Sequence, residues 1–351
     1  MERTGDGTGE RAGEPTGDTG GTGEAARPGR WTGSRRAVLT AAGMSLLAAA
    51  CESGDGGGGG GGGDEGERSP FTGRKGTGDK VLGVKIDNVE AARPHTGLSK
   101  ADIVYVEQVE AGLTRIMAVF ASRLPPLVGP VRSARESDLE LLRQFDQPGL
   151  AYSGVQSKLR SKVESAPLAA LPPGRVREAY VRKSDRPAPH NLYLRPREAL
   201  DSDAASDVGA PKDIGFRFGA PPGGGRRTSG RSVRFQAARY SFEWSSGRRR
   251  WLVSMDGSPA RTTDAGRLEA ATVVIQYVKI SDSDLGDSSG SVTPLTESVG
   301  SGRALVLRDG KEYEARWKRP SATGGTTFED TDGKRLAFAR GQVWVVLAPA
   351  G

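Results

Sequence analysis

Apolar positions are sparse up to residue 36, crowd together over residues 37–50, and vanish again into a glycine run. They become regular only from Lys80 onward. There, residues 81–86 (VLGVKI) read as a strand closed by the polar pair Asp87-Asn88. Residues 102–109 alternate and are rich in Val and Ile, which predicts a second strand. A third is predicted over 113–122, with Ile116, Ala118 and Phe120 on one face and Met117 and Val119 on the other. After Gly129-Pro130, Ser133 is placed to cap a helix that carries Leu139, Leu142 and Phe145 at helical spacing. A short strand over 150–154 and a helix over 157–164 follow. Strands interleaved with helices predict a layered α/β-type domain over residues 80–218.

Residues 219–230, GAPPGGGRRTSG, break every period and predict a linker. Beyond it, over 231–351, the rhythm is that of short strands: 234–235, 240–244, 250–253, a long one over 271–280, then 303–307, 312–317, 336–339 and 343–347. Asp256-Gly257, Asp309-Gly310 and Asp332-Gly333 supply hairpin turns, because glycine accepts the positive φ such turns require. This half predicts an all-β sandwich or open barrel. The fold class expected for the whole is α+β, in two domains.

The front of the chain has a different logic. Arg35 and Arg36 precede the apolar run, and Ala48-Ala49-Ala50 precede Cys51, the single cysteine. Positive residues, a short apolar run and small residues, in that order, make a secretory signal. The run is too short to span a bilayer, which takes ~20 apolar residues. SRRAVL, residues 34–39, resembles a twin-arginine export signal, and LLAAAC, residues 46–51, resembles a bacterial lipobox. Ala48 stands where a lipobox has leucine, with Leu47 one step further out. Residues 1–50 are therefore expected to be an export signal. Cys51 is the expected lipidation site, anchoring the chain to the membrane on its extracytoplasmic face. Residues 51–79, glycine-rich with scattered acids, are the expected flexible tether.

The net charge is +7, and the six arginines and six acids before Cys51 cancel, so the excess belongs to the exported part. Long-range attraction then favours anionic partners, which outside the cytoplasm are envelope polymers or their fragments. The chain carries no nucleic-acid motif, so no nucleic acid is expected. With one cysteine there is no disulfide framework, and no cofactor is called for.

Candidate chemistry concentrates in the first domain. GLTR supplies Arg115; VGPVRSARESD supplies Arg132, Ser133, Arg135 and Asp138; RPAPHNLY supplies Arg186, His190, Asn191 and Tyr193. Arginines at a helix start oppose the helix dipole unless an anion lies near. Arg115, Arg132, Ser133, Arg135, His190 and Asn191 are therefore candidates for an anion site. The alternative is a structural ion network with Glu107, Glu110 or Asp138. His190 is either a structural histidine or a general base oriented by Glu107, Glu110 or Asp138, and no nucleophile can be assigned to accompany it. His95, in a proline-bounded loop, is expected to be solvated. Two histidines and no free thiol argue against zinc. Asp282, Asp284 and Asp287 lack EF-hand spacing and read as a polar hairpin. Tryptophans 244, 251, 317 and 344 make the β domain a candidate scaffold for a protein partner.

Taken together, VKIDN, ARP, ADIVYVEQVEAGLTR, VGPVRSAR and APHNLY, followed by YSFEW, RDGKEYEARWKR and GQVWVVL, resemble the YerB-like bacterial lipoproteins. The likeness runs from about Val81 to the C-terminus. One departure is Ala111, where the family tends to carry a second glycine. The resemblance implies paired N- and C-terminal domains of unknown function and lipoprotein status. It implies no activity.

Overall fold

The computed structural model describes residues 67–286 and 292–350. The expected signal, Cys51 and the glycine run lie outside the described residues, as does Asp287. Strands take 41% of the described residues and helices 14%, and the sheets are open, so the fold is α+β with two domains.

Its centre is an 11-stranded sheet to which both domains contribute. The first domain supplies β1 (Leu82–Asp87), β2 (Ile103–Gln108), β3 (Thr114–Phe120), β4 (Gly149–Ala151) and β5 (Ala169–Ala170). β3 lies antiparallel between β1 and β2, and β1 continues parallel to β4. The second domain supplies Thr272–Val278, the hairpin Gly300–Arg308/Lys311–Arg319 and Thr327–Glu329. The C-terminal strand Val343–Pro349 joins the two sets. It runs parallel to both neighbours, with Val343 opposite Thr272 on one side and Ile103 on the other.

Period-2 alternation feeds two cores, one on each face of this sheet. Leu82, Val84 and Ile86, Val104 and Val106, Trp344 and Val346 enter one core. There they meet Tyr240, Phe242, Trp251 and Val253 of a second, five-stranded sheet. Ile103 and Tyr105, Met117 and Val119, Val343 and Val345 enter the other, beneath α1 (Glu136–Leu142) and α2 (Ser157–Ser165). Burial on both faces explains why IVYV and VWVVLA are continuously apolar rather than alternating.

Several expectations change on contact with the structure. Within residues 67–79, read as the end of the tether, the stretch 69–73 is packed: Phe71 is fully buried and sets its ring edge-on to Phe145 at 5.3 Å. The helix after Gly129-Pro130 starts at Glu136, with Arg135 rather than Ser133 as its N-cap. The Ala134 N–H donates to the Gly154 carbonyl at 3.0 Å, which holds this stretch extended past Ser133. The long strand expected over 271–280 is two strands, Thr272–Val278 and Ile280–Gly286, and residues 336–339 form only an isolated bridge at Phe338. Trp251, Trp317 and Trp344 are buried, and Trp244 packs on Trp251 with ring centroids 5.1 Å apart. These four therefore give the β domain no exposed tryptophan face.

Candidate functional site

The site lies at one end of the large sheet, and strand register creates it. Asp87 on β1 is opposite Arg115 on β3, and Arg115 is opposite Glu107 on β2, so the three residues lie side by side. All three belong to the set that alternates with Ile86 and Ile116, and so share a face. Next to them the chain 128–132 is inserted between β1 and β7 (Leu192–Leu194), which pairs with β6 (Tyr180–Arg182). The Arg132 N–H donates to the Lys85 carbonyl at 2.8 Å and the Val131 N–H to the Leu192 carbonyl at 2.7 Å. That insertion brings Arg132 to the end of β1 and His190, just before β7, to the same place.

The result is a cleft of about 400 Å³ whose lining includes Asp87, Glu110, Arg115, Arg132, Arg135 and His190, with Val89, Val109 and Leu113 as its apolar wall. Asp87 Oδ2 is the hub: His190 Nδ1 lies 2.8 Å away and Arg132 Nε 3.1 Å away. Arg135 donates from Nε and Nη2 to the two oxygens of Glu110 at 2.6 and 2.9 Å. Burial works against the Glu110 carboxylate, yet the Arg135 fork holds it below the ordinary range. Among the described residues, Arg115 has only a carbonyl, that of Ser133, as acceptor at 3.0 Å. Burial, with Arg135 and Arg132 near, pulls its guanidinium down to about 10.

Of the expected site residues, Arg115, Arg132, Arg135 and His190 line this one cleft, and Ser133 and Asn191 do not. Ser133 contributes its backbone carbonyl and does not line the cleft. Asn191 turns to the β6–β7 hairpin, donating to the Lys183 carbonyl at 3.0 Å and accepting from Arg182 at 2.7 Å. The carboxylate that orients His190 is Asp87, not Glu107, Glu110 or Asp138. His95 is not solvated. It is buried, its Nε2 lies 2.9 Å from the Asp87 carbonyl, and burial pushes its pKa down to about 4. The signal for Asp87 was present in the sequence as a charged residue directly ending an apolar strand.

Glu107 and Asp138 instead share a buried cation. Lys85 Nζ lies 2.9 Å from Glu107 and 2.5 Å from Asp138, and all three side chains are buried. Asp138 also accepts the Arg135 N–H at 2.6 Å, so the triad braces the start of α1 behind the cleft. One lysine cannot neutralise two buried carboxylates; burial and the Asp138 charge push the Glu107 pKa up, despite Lys85.

The turn that carries Glu110 is tight. Ala111 and Gly112 have φ of 56° and 66°, and a Cβ on Gly112 would come within 2.4 Å of Gln236 Cβ. Thr114, at the cleft floor, has its hydroxyl engaged by Asn88 and Tyr240, each at 3.0 Å. Among the described residues, no serine or cysteine lines the cleft. Among the described residues no group of three or more His, Cys, Asp or Glu is placed to hold a metal ion, and no helix is long and apolar enough to cross a membrane.

Comparison with known proteins gives the same two-part layout. Over 293 residues the chain is 26% identical to YerB of Bacillus subtilis (strain 168), a protein assigned as a lipoprotein, covering 80% of this chain and 86% of that one. The crystal structure of YerB from Bacillus subtilis matches with a TM-score of 0.69 at 23% identity, over 81% of this chain and 97% of that one. This is a likeness of fold. Residues 71–209 match the N-terminal domain, and residues 231–345 the C-terminal domain, of the protein of unknown function DUF3048. The chain belongs to the DUF3048 family.

Proposed function

We propose that this protein is a lipoprotein held by acylated Cys51 to the extracytoplasmic face of the cell membrane, and that its arginine cleft binds an anionic group of the cell envelope. The anchor is supported by the order Arg35-Arg36, apolar run, Cys51 and by the lipoprotein assignment of the YerB relative. Replacing Cys51 with serine should release the protein into the soluble fraction of its host. Retention at the membrane would overturn the anchor.

The observation that carries the binding reading is a charge imbalance. Three guanidiniums and an imidazole line one cleft against two carboxylates, Asp87 and Glu110. Arg132 meets Asp87 through Nε and is 28% exposed, so a ligand can reach it without breaking the Arg135–Glu110 fork. A phosphate or carboxylate suits such a donor set. Arg132→Ala should weaken binding of glycerol phosphate polymer or a muramyl peptide at least tenfold with unchanged thermal stability. Equal binding by the variant would refute the reading.

A second reading is favoured by His190 and Asp87, whose 2.8 Å contact is that of a general base and its orienting carboxylate. An envelope hydrolase or transferase would then have to use water or a substrate hydroxyl as nucleophile. Turnover of an envelope ester, lost in His190→Gln with ligand binding retained, would separate this reading from binding alone.

A further inference from the structure

A second concavity, of about 260 Å³, lies away from the arginine cleft and shares no lining residue with it. Its cations come from separate segments. Arg74 lies ahead of β1, Lys100 in the turn before β2, Arg123 just after β3, and Arg248, Arg250 and Arg267 in the second domain. Glu269 is the one carboxylate in the lining, and it meets Arg248 loosely, at 3.5 Å. Asp264, beside the lining residue Ala265, spends its oxygens on the Gly97 N–H at 2.9 Å and the Ser99 hydroxyl at 3.0 Å.

Among the described residues, Arg74, Arg123, Arg250, Arg267 and Lys100 have no carboxylate within ion-pair distance. Arg267 is tied instead to the Val253 and Ala260 carbonyls and the Ser254 hydroxyl, and Arg250 to the Arg249 carbonyl. The back of the concavity is built. Gln342 is fixed by donating to the Leu98 and Ala101 carbonyls at 3.0 and 2.7 Å and accepting from Trp344 at 2.9 Å. The Arg74 guanidinium rests on Gly341, where an added Cβ would lie 3.0 Å from Nη2 and 2.8 Å from Ala271 Cβ. Desolvation and the charges of Arg123 and Arg250 pull the Arg74 pKa down, outweighing the carboxylates of Asp102 and Glu269, neither of which reaches it as an ion pair.

Charges merely spread over a solvated face would not gather from so many segments into one hollow with a single carboxylate. We propose that this concavity is a second anion site, whose ligand is a small group carrying two linked phosphates. A single phosphate brings a charge of only about −2, less than the uncompensated charge of the wall. The volume, just under the ~300 Å³ at which ordinary small-molecule sites begin, accommodates such a group. The diphosphate can be free or the exposed end of a lipid; the chemistry recognised is the same.

The full-length protein titrated calorimetrically with sodium diphosphate, orthophosphate and sulfate at physiological salt tests this. A parallel arm uses phosphatidylcholine vesicles bearing a polyprenyl diphosphate or the corresponding monophosphate. Diphosphate should bind at least tenfold tighter than orthophosphate or sulfate, and Arg74→Ala/Arg123→Ala should reduce its binding at least tenfold while Arg132→Ala leaves it unchanged. Binding confined to the diphosphate vesicles, and lost in the double variant, supports the site with a lipid as source. Diphosphate should also raise the melting temperature of the unaltered protein and not that of the double variant. Without ligand the double variant should melt no lower, since it removes like-charge repulsion. Absent binding in both arms, no preference for diphosphate, or a double variant that binds normally overturns the proposal. The Arg132→Ala arm keeps this result separate from the fate of the first cleft.

Discussion

Both histidines of the chain meet Asp87: His190 Nδ1 at the carboxylate, 2.8 Å away, and His95 Nε2 at the backbone carbonyl, 2.9 Å away. One residue at the end of β1 therefore fixes a half-exposed ring that faces the cleft and a buried ring beneath it. Asp87→Asn keeps the shape and removes the charge that Arg132 and His190 share. It is expected to cost about 1–3 kcal/mol of stability and to tighten inorganic phosphate binding, because one of two opposing carboxylates is gone. Chemical denaturation and calorimetric titration measure the two effects. Weaker phosphate binding in a folded variant would count against an anion cleft.

The buried triad predicts an asymmetry between its members. Lys85→Met leaves Glu107 and Asp138 without their cation and should cost about 3–5 kcal/mol, or prevent folding. Glu107→Gln should cost far less, because burial already favours the protonated form of that carboxyl.

The same carboxyl gives a pH dependence. Its folded-state pKa, near 8, is above the unfolded value, so the folded state binds more protons between about 4.5 and 8. Stability from this group is full at low pH and declines as pH rises through that window. Melting temperatures of the unaltered protein and Glu107→Gln, whose amide mimics the protonated carboxyl, should therefore lie closest at low pH and shift in favour of the variant as pH rises.

His95 acts in the opposite direction. Its folded-state pKa of about 4 lies below the unfolded 6.5, so the unfolded state binds more protons between those values. Stability from this group is full above 6.5 and is lost as pH falls toward 4. Replacing His95 with glutamine, which retains a donor for the Asp87 carbonyl, should flatten the acid limb of a melting-temperature profile.

Ala111 sits at φ 56° in the turn that carries Glu110, with its side chain in solvent. A left-handed conformation costs an L-residue roughly 1–2 kcal/mol, and glycine gives back part of this as unfolded-chain entropy. Ala111→Gly should raise stability by about 0.5–1 kcal/mol. Gly112→Ala should lower it, since its Cβ would strike Gln236.

Much of the fold was legible. β1, β2 and β3 fall within two residues of where alternation places them, and Asp256-Gly257 and Asp309-Gly310 adopt the paired positive φ of two-residue hairpins. The cleft was legible as a set of arginines and a histidine, but not as a geometry. Asp87 becomes the partner of His190 only through pairing between segments about 100 residues apart, which no local pattern encodes. Lys85 was hidden for a related reason: inside VLGVKI it looks like the solvent side of a strand, and only the covering helix α1 reveals it as buried. The union of both domains in one sheet was equally non-local, since an apolar strand does not state its neighbour.

That union has a consequence for how the polypeptide matures. Until Val343–Pro349 has emerged, the edge of β2 that this strand will cover exposes unpaired backbone and apolar side chains. An edge left open this long invites pairing with another molecule. The arginines of the cleft are synthesised about 200 residues before the strand that completes the sheet beneath them.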